Sequence, residues 1–245
     1  MAPRLRLYGG RVTTEAAEPL DIARRLAEVK RTIDEAATKA GRAPSSVRLV
    51  AVSKHHPAEA IRAAYAAGQR DFGENYAQEL AEKAAQLRDL PDLVWHAIGQ
   101  LQRNKVKLVV QHARFVHAVD RADLALEIDR RAAAAGVTAS VLVEVNLAGE
   151  ASKGGCAPAD LGDLLAAISP LAHVRAVGLM TIPPAEDDPE QTRPRFVALR
   201  ALRDAHGGIA RLPELSMGMS HDFPIAIAEG ATLVRVGTAI FGARA

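Results

Sequence analysis

Lys54 is the residue with the most chemistry to offer. It closes a nearly unbroken apolar run, Val47-Arg48-Leu49-Val50-Ala51-Val52-Ser53-Lys54. A lysine at the end of a buried strand is poorly solvated, and desolvation disfavours its ammonium form. The neutral amine that results attacks carbonyls and forms imines. The competing reading is a lysine whose stem lies along the strand end while its charge reaches water or an acid. A second group of residues could hold an anion. Ser216-Met217-Gly218-Met219-Ser220 and Gly237-Thr238 combine hydroxyl donors with glycines, whose backbone N–H groups can approach a ligand closely. Such loops are ordinary by themselves. A reactive amine and an anion cradle on one rim, however, suit a phosphorylated aldehyde. Arg235 is the third candidate. It lies inside the apolar segment Thr232–Thr238, and a buried arginine needs a partner. Set against the ring nitrogen of a pyridoxal-type cofactor, its permanent charge would keep that nitrogen unprotonated and make the ring a poor electron sink. An ion pair, for instance with Glu144, is an equal alternative.

The other reactive side chains have simpler explanations. His55 and His56 are adjacent, so an extended segment cannot easily turn both toward one metal, and no cysteine or carboxylate spacing supports a zinc site. His96, beside Trp95, reads as a satisfied core or rim histidine. Met217 and Met219 read as packing. Glu186-Asp187-Asp188 reads as a solvated turn after Pro183-Pro184, and Cys156 has no visible activating partner.

These residues need elements to position them. A first helix fits Pro19–Ala40, with Ile22, Leu26, Val29 and Ile33 on one stripe and Gly41 as its stop. Apolar strand candidates then alternate with helices. The strands are Val47–Lys54, Arg70–Glu74, Leu93–Gly99, Arg114–Asp120, Ala139–Asn146, Val174–Ile182, Pro213–Gly218 and Thr232–Thr238. The helices between them are Pro57–Ala67, Tyr76–Leu87, Arg103–Gln111, Ala122–Ala135, Pro158–Leu171, Pro189–His206 and Asp222–Glu229. Runs of this kind suit strands buried on both faces of a parallel sheet. Eight of them, with no Gly-x-Gly-x-x-Gly after the first, favour closure over an open dinucleotide-binding sheet. The fold class expected is therefore α/β: a single (β/α)8 TIM-type barrel with an additional N-terminal helix and the last barrel helix missing, that first helix covering the gap.

In such barrels chemistry lies at the C-terminal ends of the strands. Here those ends carry Lys54, Glu74-Asn75, Asp120, Asn146, Thr181, Ser216 and Arg235/Gly237/Thr238, while the strand bodies are apolar. Strand ends are often polar because they are exposed. Lys54, Asn146 and Arg235 share pleat parity with apolar neighbours, which points them inward.

Composition narrows the setting. The chain has 245 residues, 49% apolar and 24% charged, with a formal net charge of +2. That balance gives no electrostatic case for nucleic acid or a membrane surface. The single cysteine forbids an internal disulfide and fits a reducing compartment. No signal-peptide core or bilayer-length apolar run is present, so the location expected is cytoplasmic. Residues 1–18 read as a flexible leader and 19–245 as one barrel domain.

The same residues carry a family resemblance. Ala51-Val52-Ser53-Lys54, Phe72-Gly73-Glu74-Asn75-Tyr76, the segment from Trp95 to Lys105, His117 to Arg121, Val145-Asn146 with Ser152-Lys153, Gly178 to Thr181, Leu215 to Ser220 with Asp222, and Val234 to Gly242 all match. Over nearly its whole length from Leu20, the chain resembles the pyridoxal phosphate homeostasis proteins, relatives of the alanine racemase N-terminal barrel. The resemblance implies pyridoxal 5′-phosphate (PLP) held on Lys54 as an imine. It implies Ser216, Gly237 and Thr238 at the phosphate, with Met217 and Gly218 in the same loop, Arg235 at the pyridine nitrogen and Asn75 near the ring. There are departures. His55-His56 replaces a more usual Thr-Lys, Glu144 stands where an amide is common, and Gly154-Gly155 varies the segment after Lys153, a second lysine that could offer a looser site.

Three functions follow. The first is a non-catalytic PLP-binding protein, without catalytic residues or metal. It would act in PLP homeostasis and amino-acid/keto-acid balance, as a monomer, with apo PLP-dependent enzymes as recipients. The second is a weakly active PLP-dependent racemase. That chemistry needs an acid/base on each face of the α-carbon, and no tyrosine near the rim motifs supplies the second. The third is a lysine-imine aldolase without cofactor, which would be colourless.

Overall fold

The computed structural model describes residues 19–149, 154–184 and 186–243. The expected leader, Ser152 and Lys153 lie outside these residues. The strands are β1 (Arg48–Val52), β2 (Asp71–Glu74), β3 (Val94–Ala97), β4 (Ala113–Val119), β5 (Ala139–Glu144), β6 (Val174–Met180), β7 (Glu214–Ser216) and β8 (Leu233–Val236). They close into a barrel in sequence order, β8 pairing back on β1 through Val50 opposite Arg235. Every pairing is parallel. The helices are α1 (Pro19–Lys39), α2 (Ala58–Ala66), α3 (Ala77–Gln86), α4 (Val106–Val110), α5 (Ala122–Ala135), α6 (Leu161–Ile168), α7 (Arg193–Ala205), α8 (Gly208–Arg211), α9 (Phe223–Ala228) and α10 (Thr238–Phe241). The expected α/β barrel with its extra N-terminal helix is thus the observed fold, and among the described residues one short helix, α10, follows β8.

Two-sided burial explains the strand sequences. Leu49, Ala51, Val116, Val141, Val143, Leu179, Leu215, Val234 and Val236 face outward and join the helices in the main core. Val50, Phe115, Leu142, Met180 and Leu233 form a small apolar cluster of their own. Strands with apolar residues on both faces bury everything, so they read as continuous apolar runs. The interior departs from the usual filling by branched aliphatic side chains. Asp71, His96, His117, Ser216 and Arg235 occupy much of it instead, and all but Asp71 are buried.

α1 seals the seam. Ile22, Leu26, Val29, Ile33 and Ala37 are buried along its inner stripe, and the helix packs on α2, α9 and α10 beside the β8–β1 junction. Burying each of the larger of these side chains is worth roughly 1.5–3 kcal/mol. Gly41 ends the helix with φ +68°, and Arg42 N–H donates to Ala37 C=O at 2.9 Å in a left-handed cap. The Arg42 guanidinium then reaches Ile227 C=O at 2.9 Å, tying the helix exit to α9.

Candidate cofactor site

Lys54 lies beyond the strand rather than in it. β1 stops at Val52, and Lys54 is half-buried in the turn that leads to α2. The expectation of a strand ending at Lys54 is corrected by the turn, which uses a positive φ of +64° at His55. A left-handed residue other than glycine costs about 1 kcal/mol or more and needs support. The support is an ionic clamp. The Lys83 ammonium, from α3, donates to the Ser53 carbonyl at 2.7 Å, to Glu74 Oε1 at 2.7 Å and to Glu79 Oε1 at 2.7 Å. Glu79 Oε1 also accepts the His55 backbone N–H at 2.6 Å, and Ser53 Oγ donates to Glu74 Oε1 at 2.7 Å. Both peptide groups flanking Lys54 are therefore anchored to side chains of α3, and the Ser53 hydroxyl to Glu74 of β2. Glu74 is 1% exposed and its Oε2 atom has no hydrogen-bond partner. Burial pushes its carboxyl above the usual range, against the pull of Lys83.

Arg235 projects from β8 into the barrel. It is buried, donates from Nη1 to Ser216 Oγ at 2.5 Å and from Nη2 to the Thr181 carbonyl at 3.0 Å. These bonds use two of the five N–H groups of a guanidinium. Burial draws its pKa down to about 10, with Glu144 and Asp222 opposing, so it stays cationic at neutral pH. Its hydrogen-bond partners are a hydroxyl and a carbonyl; Glu144, the alternative partner considered from sequence, acts only at longer range. The Arg235 backbone N–H donates to Gly218 C=O at 3.0 Å, which links the two glycine loops. Gly218 has φ +92°, and a Cβ there would meet Ala226 Cβ at 2.6 Å and Phe223 Cα at 2.9 Å. Gly237 lies against β1, where a Cβ would meet Val52 C=O at 3.1 Å. Thr238 is exposed at the first turn of α10.

The remaining expected residues fall as follows. The Ser216 side chain is wholly buried, its oxygen between Arg235 and His117 Nδ1, 2.9 Å away. Met217 packs in the main core. Asn75 is half-buried at the end of β2, lining a cleft with Tyr76, Gln78, Gln100 and Lys105; its carbonyl would lie 2.4 Å from a Cβ at Gly99. Glu144 is buried at the β5 end, hydrogen-bonded by Gln100, and its carboxyl is pushed up to about 7 by burial and then by Asp120. His96 is fully buried with both nitrogens bonded, as a satisfied core histidine. Burial pushes the Cys156 thiol up to about 11, in line with an unactivated cysteine. The clamp and the inward role of His117 were not apparent in the sequence. The Glu79–Lys83 spacing of four was the visible signal for the former.

The alanine racemase N-terminal domain family matches residues 25–245. The chain is 47% identical to the pyridoxal phosphate homeostasis protein of Aquifex aeolicus over 223 residues, spanning 90% of this chain and 97% of that one. It belongs to that family. The homologous protein from Pseudomonas aeruginosa is 49% identical, covering 91% and 96% of the two chains. The structure of PipY from Synechococcus elongatus PCC7942 with PLP bound superposes with a TM-score of 0.79 at 45% identity, covering 90% of this chain and all of that one. No helix among the described residues of this family member is long and apolar enough to cross a membrane.

Proposed function

We propose that this protein binds PLP at the C-terminal mouth of the barrel, with Lys54 forming an imine to the aldehyde and Arg235 facing the pyridine nitrogen, and that it serves PLP homeostasis rather than catalysis. The observation that carries the reading is Arg235. A buried cation held by Ser216 and Thr181, with N–H groups to spare, is a fixed donor near the C-terminal end of β8. Such a donor fits an unprotonated ring nitrogen. The relatives' name and PLP in the PipY structure support the same cofactor.

The donor set fits the rest of the molecule. Gly237 and Thr238 stand two and three residues beyond Arg235, where the first N–H groups of α10 have no intrahelical acceptor. They suit the phosphate. The Ser216 hydroxyl is committed to the Arg235 support, so its part is to hold the guanidinium rather than the phosphate. Asn75, at the end of β2, would lie near the ring. When bound, PLP supplies an electrophilic aldehyde and an electron-withdrawing ring. A cationic partner at the ring nitrogen keeps a proton off it and limits that withdrawal, which favours holding the cofactor over activating an amino acid. The protein would then take part in amino-acid and keto-acid balance by supplying PLP to apo enzymes, as a cytoplasmic monomer.

The test is absorbance. The purified protein should be yellow, and Lys54→Ala should be colourless while keeping its far-UV circular dichroism. A folded Lys54→Ala protein that retains the wild-type visible band would overturn the assignment.

A further inference from the structure

Under the Arg235 guanidinium the barrel interior holds a continuous string of polar side chains. Ser216 Oγ lies 2.9 Å from His117 Nδ1. His117 Nε2 lies 2.9 Å from His96 Nδ1. His96 Nε2 lies 2.9 Å from Asp71 Oδ1. Asp71 in turn faces Arg48 at 3.8 Å, and Arg48 also bonds Glu214 at 3.1 Å. The string crosses from β8 through β7, β4 and β3 to β2, and its two histidines and serine have no exposed surface.

We propose that Asp71, His96, His117 and Ser216 form a one-way hydrogen-bonded chain that positions the Arg235 guanidinium, and that its protons have a single allowed order. The order follows from donors and acceptors. A guanidinium can only donate, so the Ser216 oxygen accepts from Arg235. At the other end a carboxylate accepts, so His96 Nε2 carries a proton. With His96 neutral, its Nδ1 accepts from His117 Nε2–H. With His117 neutral, its Nδ1 accepts the Ser216 O–H. Every polar atom in the chain is then satisfied.

The reverse order, with His117 Nδ1–H pointing at Ser216, would need either a cationic His96 donating from both nitrogens or a proton on Asp71 donating to His96 Nε2. The Ser216 O–H would lose its acceptor, and either a buried cation would be added beside Arg48 and Arg235 or Asp71 would give up the negative charge that faces Arg48 at 3.8 Å. An unpaired buried donor and an added buried charge are both costly. The charged groups facing the pair are Asp71 from β2, Arg48 from β1, Glu214 from β7 and Arg235 from β8. Arg48 already sits between the two carboxylates. Phe115 stacks on His96 at 4.7 Å and keeps water off the ring. Burial lowers the pKa of His96, and lowers that of His117 well below the ordinary value.

The chain makes Arg235 a fixed group instead of a flexible one. It deepens the cofactor reading, on which its functional meaning rests, by naming Ser216, His117, His96 and Asp71 as positioning residues. The first test needs no cofactor. In apo protein with 15N-labelled histidine at pH 7, both rings should show a protonated Nε2 and a bare Nδ1, assigned through His96→Gln and His117→Gln. Either ring as the Nδ1–H tautomer, or doubly protonated, would overturn the chain. The second test compares His117→Gln with His117→Leu after PLP is added. A glutamine amide can donate to His96 and accept from Ser216, so its absorption maximum and pH titration should match the wild type. Leucine cannot, and both should move. Equal behaviour of the two variants would overturn the positioning role. The apo measurement on the natural chain stands even if His117→Leu does not fold, and a failure of PLP binding leaves it unaffected.

Discussion

Replacing Lys83 with methionine tests whether the turn carrying Lys54 is held by charge. The Lys83 side chain is 8% exposed, and its ammonium bonds the carboxylate of the buried Glu74 at 2.7 Å. Methionine keeps the apolar stem and removes every donor. Breaking one side of a buried ion pair costs about 3–5 kcal/mol, because the surviving charge stays desolvated. For a chain of this size that corresponds to a fall in Tm of roughly 6–20 °C, at about 2–4 °C per kcal/mol. The loss should depend on pH with a definite sign. The folded-state pKa of Glu74 is already raised, so its ionised form destabilises the fold above that pKa, and stability recovers as pH falls through it. Without Lys83 the pKa rises further. The difference between variant and wild type should therefore be largest near pH 8 and shrink by up to about 1.4 kcal/mol per pH unit once Glu74 takes up its proton. Removing both charges in Lys83→Met/Glu74→Leu should restore much of the loss, since paired apolar replacements of buried ions are often neutral. Thermal melts of the three proteins at pH 5.5 and 8 read the effect. A Lys83→Met melting point within 2 °C of wild type at pH 8, by the scale of about 2–4 °C per kcal/mol, would refute an ionic clamp.

Two further changes probe the rim. Glu144, held at about 7, takes up a proton on folding between its unfolded and folded pKa values, so the native chain should lose stability as pH rises from 5 to 8. Glu144→Gln should flatten that dependence and be more stable than the native chain at pH 8 by about 1–3 kcal/mol; unchanged denaturant midpoints at both pH values would contradict this. Gly218→Ala must place a Cβ 2.6 Å from Ala226 Cβ at φ +92°, and the combined strain and overpacking should cost about 2–4 kcal/mol. An alanine variant that unfolds at the native midpoint would show that the loop is not tightly packed on α9.

The sequence carried the barrel because its strands are apolar on both faces. Leu49 and Ala51 look outward while Val50 looks in, and the run they make is hard to mistake. Lys54 and Arg235 stood out because charged residues in such runs are rare. The ends of the elements were less legible. β1 stops two residues short of Lys54 because His55 turns left-handed, and that turn depends on Glu79 and Lys83, which come from another helix. Lys83 follows Glu79 by one helical turn, a spacing common on exposed helix faces, yet it points down onto Ser53 and is buried. His117 stood in a matching segment without a role; the closure of β4 against β3 and the opposite placement of Ser216 give it two partners. Ser216 read as a phosphate ligand because hydroxyls in glycine loops often are, and its inward direction was set by the pleat of a three-residue strand.

One measurement bears on Lys54 most directly. PLP is added to the apo protein, the adduct is reduced with borohydride, and the digested chain is mapped by mass spectrometry. A pyridoxyl group on the peptide containing Lys54, absent after Lys54→Ala, is the expected result. A group carried mainly by Lys83, Lys105 or Lys153, with Lys54 unmodified, would contradict it.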